Sequence, residues 1–199
     1  MALDVTETDR AVCVPDQIRA REGRLDLVVV NAGQFDPGLT CEIDAARAAR
    51  QVAVNLTGVV ACAAPALAVM RRQRRGQLVL VASVSGYRGL PNAGIYGATK
   101  AAVISYAESL RAELAGSRIK VQLASPGFID TPMTADNSFP MPLLMPVEAA
   151  VDRLLAGMAA SGFEIVFPRR LGYALKLLQL LPAALYFPLV RKLTGVRVE

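Results

Sequence analysis

Short apolar runs, each closed by small or glycine-containing residues and separated by helix-length stretches, constrain this chain most. Residues 25–30 read LDLVVV, 77–82 QLVLVA, 118–124 RIKVQLA and 163–167 FEIVF. Their length and β-branching predict buried strands. Between them, residues 44–74 are Ala-rich and periodic and predict a helix bent around Asn55 and Pro65. Residues 95–114 predict a second long helix stopped at Gly116, and 146–160 a third with Pro146 near its first turn. Such alternation requires a parallel sheet covered on both faces, a three-layer α/β architecture. Ligands of such sheets bind beyond the carboxyl ends of the strands. The segments to inspect are therefore Asn31-Ala32-Gly33, Ser83-Val84-Ser85-Gly86 and Ser125-Pro126-Gly127-Phe128-Ile129.

Composition removes several chemistries. With 199 residues, 53% hydrophobic and 20% charged, the chain builds one sizeable core and is not disordered. It has no His, which excludes a Ser-His-Asp triad, a Cys-His dyad and His-ligated zinc. An acid or base must be Tyr, Lys, Cys or a carboxylate. Cys13, Cys41 and Cys62 form no C-x-x-C pair, so we expect no metal site, and free, mostly buried thiols in a reducing, cytoplasmic setting. The first ten residues carry Asp4, Glu7 and Asp9 and do not read as a leader peptide. The net charge is +5, partly clustered. Arg71, Arg72, Arg74 and Arg75 are expected to close a helix, where cations complement the dipole. Arg169, Arg170, Lys176, Arg191, Lys192 and Arg197 populate the C-terminal end. No nucleic-acid partner is expected.

Tyr96 and Lys100 are four residues apart, on one face of the second predicted helix. An ammonium about 4 Å from a phenol at an effective dielectric of 20 contributes roughly 4 kcal/mol. That is roughly three units of phenol pKa, an upper figure before screening. Tyr96 thereby becomes a candidate general acid/base. Ser83 closes the strand before it, Asn55 lies in the earlier helix, and Asn31-Ala32-Gly33 closes the first strand. In this order and spacing, LDLVVVNAG, QVAVNLTG, QLVLVASVSGYRGLPNAGIYGATKAAVISYAESLRAEL and VQLASPGFIDTPM resemble the short-chain dehydrogenase/reductase family, up to about Met133.

The resemblance implies a Rossmann-type parallel sheet and hydride transfer between an alcohol/carbonyl substrate and NAD or NADP. It implies Tyr96 as acid/base and Ser83, rather than Ser85, as the group that polarises the carbonyl. Lys100 would hold the nicotinamide ribose and depress the Tyr96 pKa. Asn55 would bend its helix and hold a water that relays protons to Lys100. Asp4 and Val5, in the LDVT segment, and Asn31, Ala32 and Gly33 would line the adenosine side of the cofactor, Asp4 holding the adenine amino group. Pro126, Gly127, Ile129 and Thr131 would contact its nicotinamide end. A homodimer or homotetramer through the two long helices is also implied.

One part of the family pattern is missing. No T-G-x-x-x-G-x-G turn precedes LDVT, so the sheet is expected to be N-terminally truncated, by about sixty residues on the size of βαβ units. A misassigned start, a fragment and a truncated, non-catalytic interaction module are the competing explanations. Coenzyme choice is hidden with that segment, and the basic balance leans faintly to NADP. The first expected strand would then expose an unpaired edge. Residues 1–168 are read as the catalytic domain and 169–199 as its hydrophobic and basic extension. Residues 132–146, PMTADNSFPMPLLMP, fall where the family carries its substrate lid, and their composition suggests a lipophilic substrate. Residues 171–190, LGYALKLLQLLPAALYFPLV, have the length of a membrane span but carry Lys176, Gln179 and two prolines. Peripheral membrane contact, or packing in a dimer, is expected of them rather than a span.

Overall fold

The computed structural model describes residues 2–135, 137 and 139–195; Arg197 lies outside them. Four strands form one all-parallel sheet in the order β1 (Leu27–Val30), β2 (Gly76–Val81), β3 (Ile119–Pro126) and β4 (Glu164–Phe167). Among the described residues β1 pairs only with β2, so its other edge is open. Leu27 and Val29 project from one face of β1 and are 45% and 37% exposed.

Helices precede and follow each strand. Helix α1 (Thr8–Glu22) packs on α3, and no sequence signal above foresees it. The first long helix begins as α2 (Ala45–Val52), capped by the Asp44 carboxylate, which accepts from the Arg47 amide at 2.8 Å. It then makes one π-helical turn over Ala53–Thr57 and continues as α3 (Gly58–Gln73). The expected bend at Asn55 is this turn, a device often found at functional sites. Arg71 and Arg72 occupy the last turn of α3 and Arg74 caps it. The second long helix is α4 (Gly94–Glu113). A short α5 (Pro132–Ala135) and α6 (Val147–Ala159) follow β3.

Two apolar clusters hold the layers together. Val59, Ala63, Leu67 and Met70 of α3 meet Leu78 and Leu80 of β2, Leu123 of β3 and Val103 and Ala107 of α4. On the opposite face Ala150 and Met158 of α6 meet Val79, Ala124, Ile165 and Phe167. Gln122 is fully buried there, and its amide donates to the carbonyls of Gly157 (3.0 Å) and Gly162 (2.7 Å), satisfying the end of α6.

Residues 171–190 are two helices rather than one: α7 (Arg169–Gln179) and α8 (Ala183–Thr194), separated by Leu180–Pro182. At 11 and 12 residues neither reaches a bilayer-spanning length. The one helix among the described residues long and apolar enough to cross a membrane is Ala45–Gln73, which contributes Val59, Ala63, Leu67 and Met70 to the core. The cysteines depart from expectation: Cys13 and Cys41 are exposed and only Cys62 is half-buried. The first two sit on an outer helix and in a surface turn, away from the sheet.

Candidate active site

The site lies beyond the carboxyl ends of β1, β2 and β3. Ser83 lies two residues beyond β2 and caps Val84–Gly86, a single 3-10 turn. The Ser83 Oγ accepts from the Ser85 amide at 3.2 Å, lies 2.8 Å from the Ser85 Oγ and donates weakly to the Pro126 carbonyl at 3.4 Å. Two glycines seat this loop against α4. A methyl at Gly86 would lie 2.8 Å from the Lys100 carbonyl carbon, and one at Gly97 2.9 Å from the Ser85 carbonyl oxygen. This mutual close approach brings the Ser83 loop onto the turn that carries Tyr96.

Burial pushes the Tyr96 phenol above its usual range, and hydrogen bonding with Ser83 acts in the opposite direction. Lys100 is 2% exposed, and its Nζ donates to the Val81 carbonyl at 2.9 Å. Burial lowers its pKa to about 8. The ammonium sits 5.6 Å from the centre of the Tyr96 ring. The lysine-lowered phenol expected from the sequence is not what this geometry gives. Desolvation governs Tyr96, and Lys100 is held by a backbone carbonyl instead of the phenol oxygen.

Asn55 is fully buried on the π turn. Its Oδ1 accepts from the Gln34 amide at 2.7 Å, and its Nδ2 donates to the Gln34 carbonyl at 2.7 Å and the Thr99 Oγ at 3.2 Å. It thus ties the loop after β1 to α4. A methyl at Gly33 would lie 3.5 Å from the Lys100 Nζ and 3.6 Å from the Asn55 Oδ1, so Asn55, Gly33 and Lys100 converge. Gln34 and Thr99 are the partners sequence reasoning missed. Gln34 acts through its backbone, which no side-chain pattern announces.

The other expected contacts are spread around this centre. Asn31 and Ala32 are exposed at the end of β1. Asp4 is exposed and accepts from the Thr6 amide and hydroxyl at 2.9 and 2.7 Å, which lowers its pKa. Val5 packs on Gly58 at the start of α3, where an added methyl would lie 2.8 Å from it. Pro126 ends β3, and the Gly127 amide donates to the Phe167 carbonyl at 2.7 Å. Ile129 bridges to Met145, drawing together the two ends of the segment after β3, and the Thr131 hydroxyl donates to the Ile129 carbonyl at 3.4 Å.

An aromatic chain leads away from the phenol. Phe35 meets Tyr96 edge-on at 5.1 Å between ring centres. Phe139, in the segment after β3, lies 6.5 Å from Phe35 and 6.1 Å from Phe128. Leu143, Leu144 and Met133 of the same segment are exposed.

A dinucleotide fits the nicotinamide half of this arrangement. Among the described residues the Lys100 ammonium has one acceptor, leaving donors beside a shelf that Gly33 keeps clear of side chain.

The chain belongs to the short-chain dehydrogenase family, whose model matches residues 1–140. An uncharacterized oxidoreductase of Myxococcus xanthus is 35% identical over 191 residues, 96% of this chain and 76% of that protein. Other curated relatives are matched over about half of their own length. Among solved structures, a short-chain dehydrogenase of Burkholderia cenocepacia in complex with NADP superposes with a TM-score of 0.82 at 24% identity, over 97% of this chain and 79% of that one. The protein ElxO with NADP bound gives 0.72 at 27% identity, over 82% and 75%.

Proposed function

We propose that the chain interconverts an alcohol and a carbonyl with NAD or NADP, Tyr96 serving as general acid/base on a lipophilic substrate. The convergence of Ser83, Tyr96, Lys100 and Asn55 at the carboxyl end of β1 and β2 carries this reading. When bound, NAD(P) carries the hydride, which no side chain does. The Tyr96 hydroxyl gives its proton to the substrate oxygen in reduction and takes it back in oxidation. The Ser83 hydroxyl donates to the same oxygen and stabilises charge developing there. Lys100, mostly protonated at neutral pH with a pKa of about 8, would hold the nicotinamide ribose of the bound cofactor. Asn55 holds the loop after β1 against α4.

Lys100, Asn31, Ala32 and Gly33, with Asp4 and Val5 on one side and Pro126, Gly127, Ile129 and Thr131 on the other, would hold the cofactor. NADP is favoured by the NADP-bound ElxO and by the basic excess. Phe35, Phe128 and Phe139 line an apolar approach that excludes water and suits a lipophilic group. Association as a homodimer or homotetramer through α3 and α4 is part of the same reading. The rival reading is a non-catalytic interaction module that binds no dinucleotide.

The test is turnover of lipophilic ketones with NADPH or NADH, followed by loss of the reduced-nicotinamide absorbance, alongside calorimetric cofactor titration. Tyr96→Phe should retain cofactor binding and lose roughly 10²- to 10⁴-fold in rate. Absence of both binding and turnover would favour the interaction module.

A further inference from the structure

We propose that α7 and α8 form a docking surface for anionic lipid membranes. On α7, Tyr173, Leu177 and Leu180 recur at spacings of four and three residues, along one side of the helix and its end. All three are exposed, Leu180 by 81%. Leu185 and Phe187 are likewise exposed on α8. Large apolar side chains gathered on one exposed extension mark an interaction site.

The extension is pinned in this position. The Arg88 Nη1 donates to the carbonyls of Leu178 (3.0 Å), Gln179 (3.1 Å) and Leu181 (2.6 Å), capping α7. The Arg88 guanidinium also lies 3.7 Å over the Tyr186 ring, whose hydroxyl donates to the Gly89 carbonyl at 2.8 Å. Tyr186 and Val190 are buried, so α8 is anchored along one side and its apolar remainder is left in water.

Charge selects the partner. Residues 169–195 contain Arg169, Arg170, Lys176, Arg191 and Lys192 and no acidic residue. Lys176 is paired with Glu164. The other four are exposed and make no ion pair among the described residues. A second copy would face this basic segment with itself, whereas an anionic surface complements it. Two short helices without bilayer-spanning length suit the interface plane. The surface also adjoins the site: Gly172 approaches Val84, next to Ser83, closely enough that an added methyl would lie 3.8 Å away. On the reading of a lipophilic substrate, docking would bring the membrane beside the site.

The test is sedimentation of the 199-residue chain with vesicles of phosphatidylcholine alone or mixed equally with phosphatidylglycerol, without substrate or cofactor. Vesicle binding is thereby read independently of catalysis. Capture by the anionic vesicles and not by the neutral ones is expected. Leu180→Glu with Phe187→Glu should reduce it more than tenfold, and Arg169→Gln with Arg170→Gln, Arg191→Gln and Lys192→Gln several-fold. The chain has no Trp, so Leu180→Trp supplies a single reporter whose emission should shift to the blue on anionic vesicles. No capture and no shift would overturn the proposal. So would capture that ignores the Glu variants and disappears with salt, which is bare electrostatics. A dimer that dissociates on Leu180→Glu, with no vesicle binding, would assign the surface to a second copy instead.

Discussion

At the scale of the residue, the centre is a competition between burial and partnership, and Lys100 displays it best. Its folded pKa of about 8 lies below its ordinary 10.5, so between those values the unfolded chain binds more protons than the folded one. Stability from this group therefore rises as pH climbs from about 8 to about 10.5, by up to about 3 kcal/mol at 1.4 kcal/mol per unit. Above about pH 10 the raised Tyr96 phenol acts with the opposite sign, since the fold keeps it neutral while the unfolded chain ionises. Urea unfolding at about pH 7.5 and about pH 9.5 should show the gain in the wild type and not in Lys100→Met; equal slopes would remove Lys100 as its source. The order and spacing of Asn55, Ser83, Tyr96 and Lys100 were legible because each sits at a fixed offset from a strand end or on one helix face. Their partners were not. Asn55 bonds the backbone of Gln34, and Phe35 reaches Tyr96 from a different loop, contacts that exist only once the chain has folded.

Elements whose burial is one-sided or complete were readable from their apolar runs, and their ends agree with expectation to within a few residues. Those with mixed surroundings were not. Helix α1 buries only Ala11 and Pro15, so it carries no apolar stripe and was missed. The break at Leu180–Pro182 was hidden because apolar residues surround it on both sides, and Pro182 alone announces the start of α8. The junction between the Ser83 loop and α4 rests on backbone approaching backbone. Gly86→Val should force them apart, cost about 1–3 kcal/mol in thermal unfolding and lower turnover more than tenfold. Gly89→Ala, with nothing within 4 Å of the added methyl, is the matched control and should change neither. Comparable losses in both variants would show that the contact at Gly86 does not set the geometry.

For the molecule as a whole, the open edge of β1 is the exposed weakness. LVVV is apolar, Leu27 and Val29 face water, and one side of the strand has unpaired backbone groups among the described residues. Such an edge templates strand addition. Val29→Lys should raise the fraction recovered as small species by size exclusion at high concentration, with little change in melting temperature; unchanged recovery would place the aggregation-prone surface elsewhere. A different property follows from where the four candidate site residues sit in the chain. They all fall within residues 55–100: Asn55 on the π turn before α3, Ser83 in the loop after β2, and Tyr96 and Lys100 on α4. Bringing them together requires closure of one short contiguous stretch, which is entropically cheap and kinetically early. The segment after β3, β4 and the C-terminal helices can therefore open in local fluctuations without scattering these four residues, and amide exchange should protect β2 and α4 longer than α7 and α8.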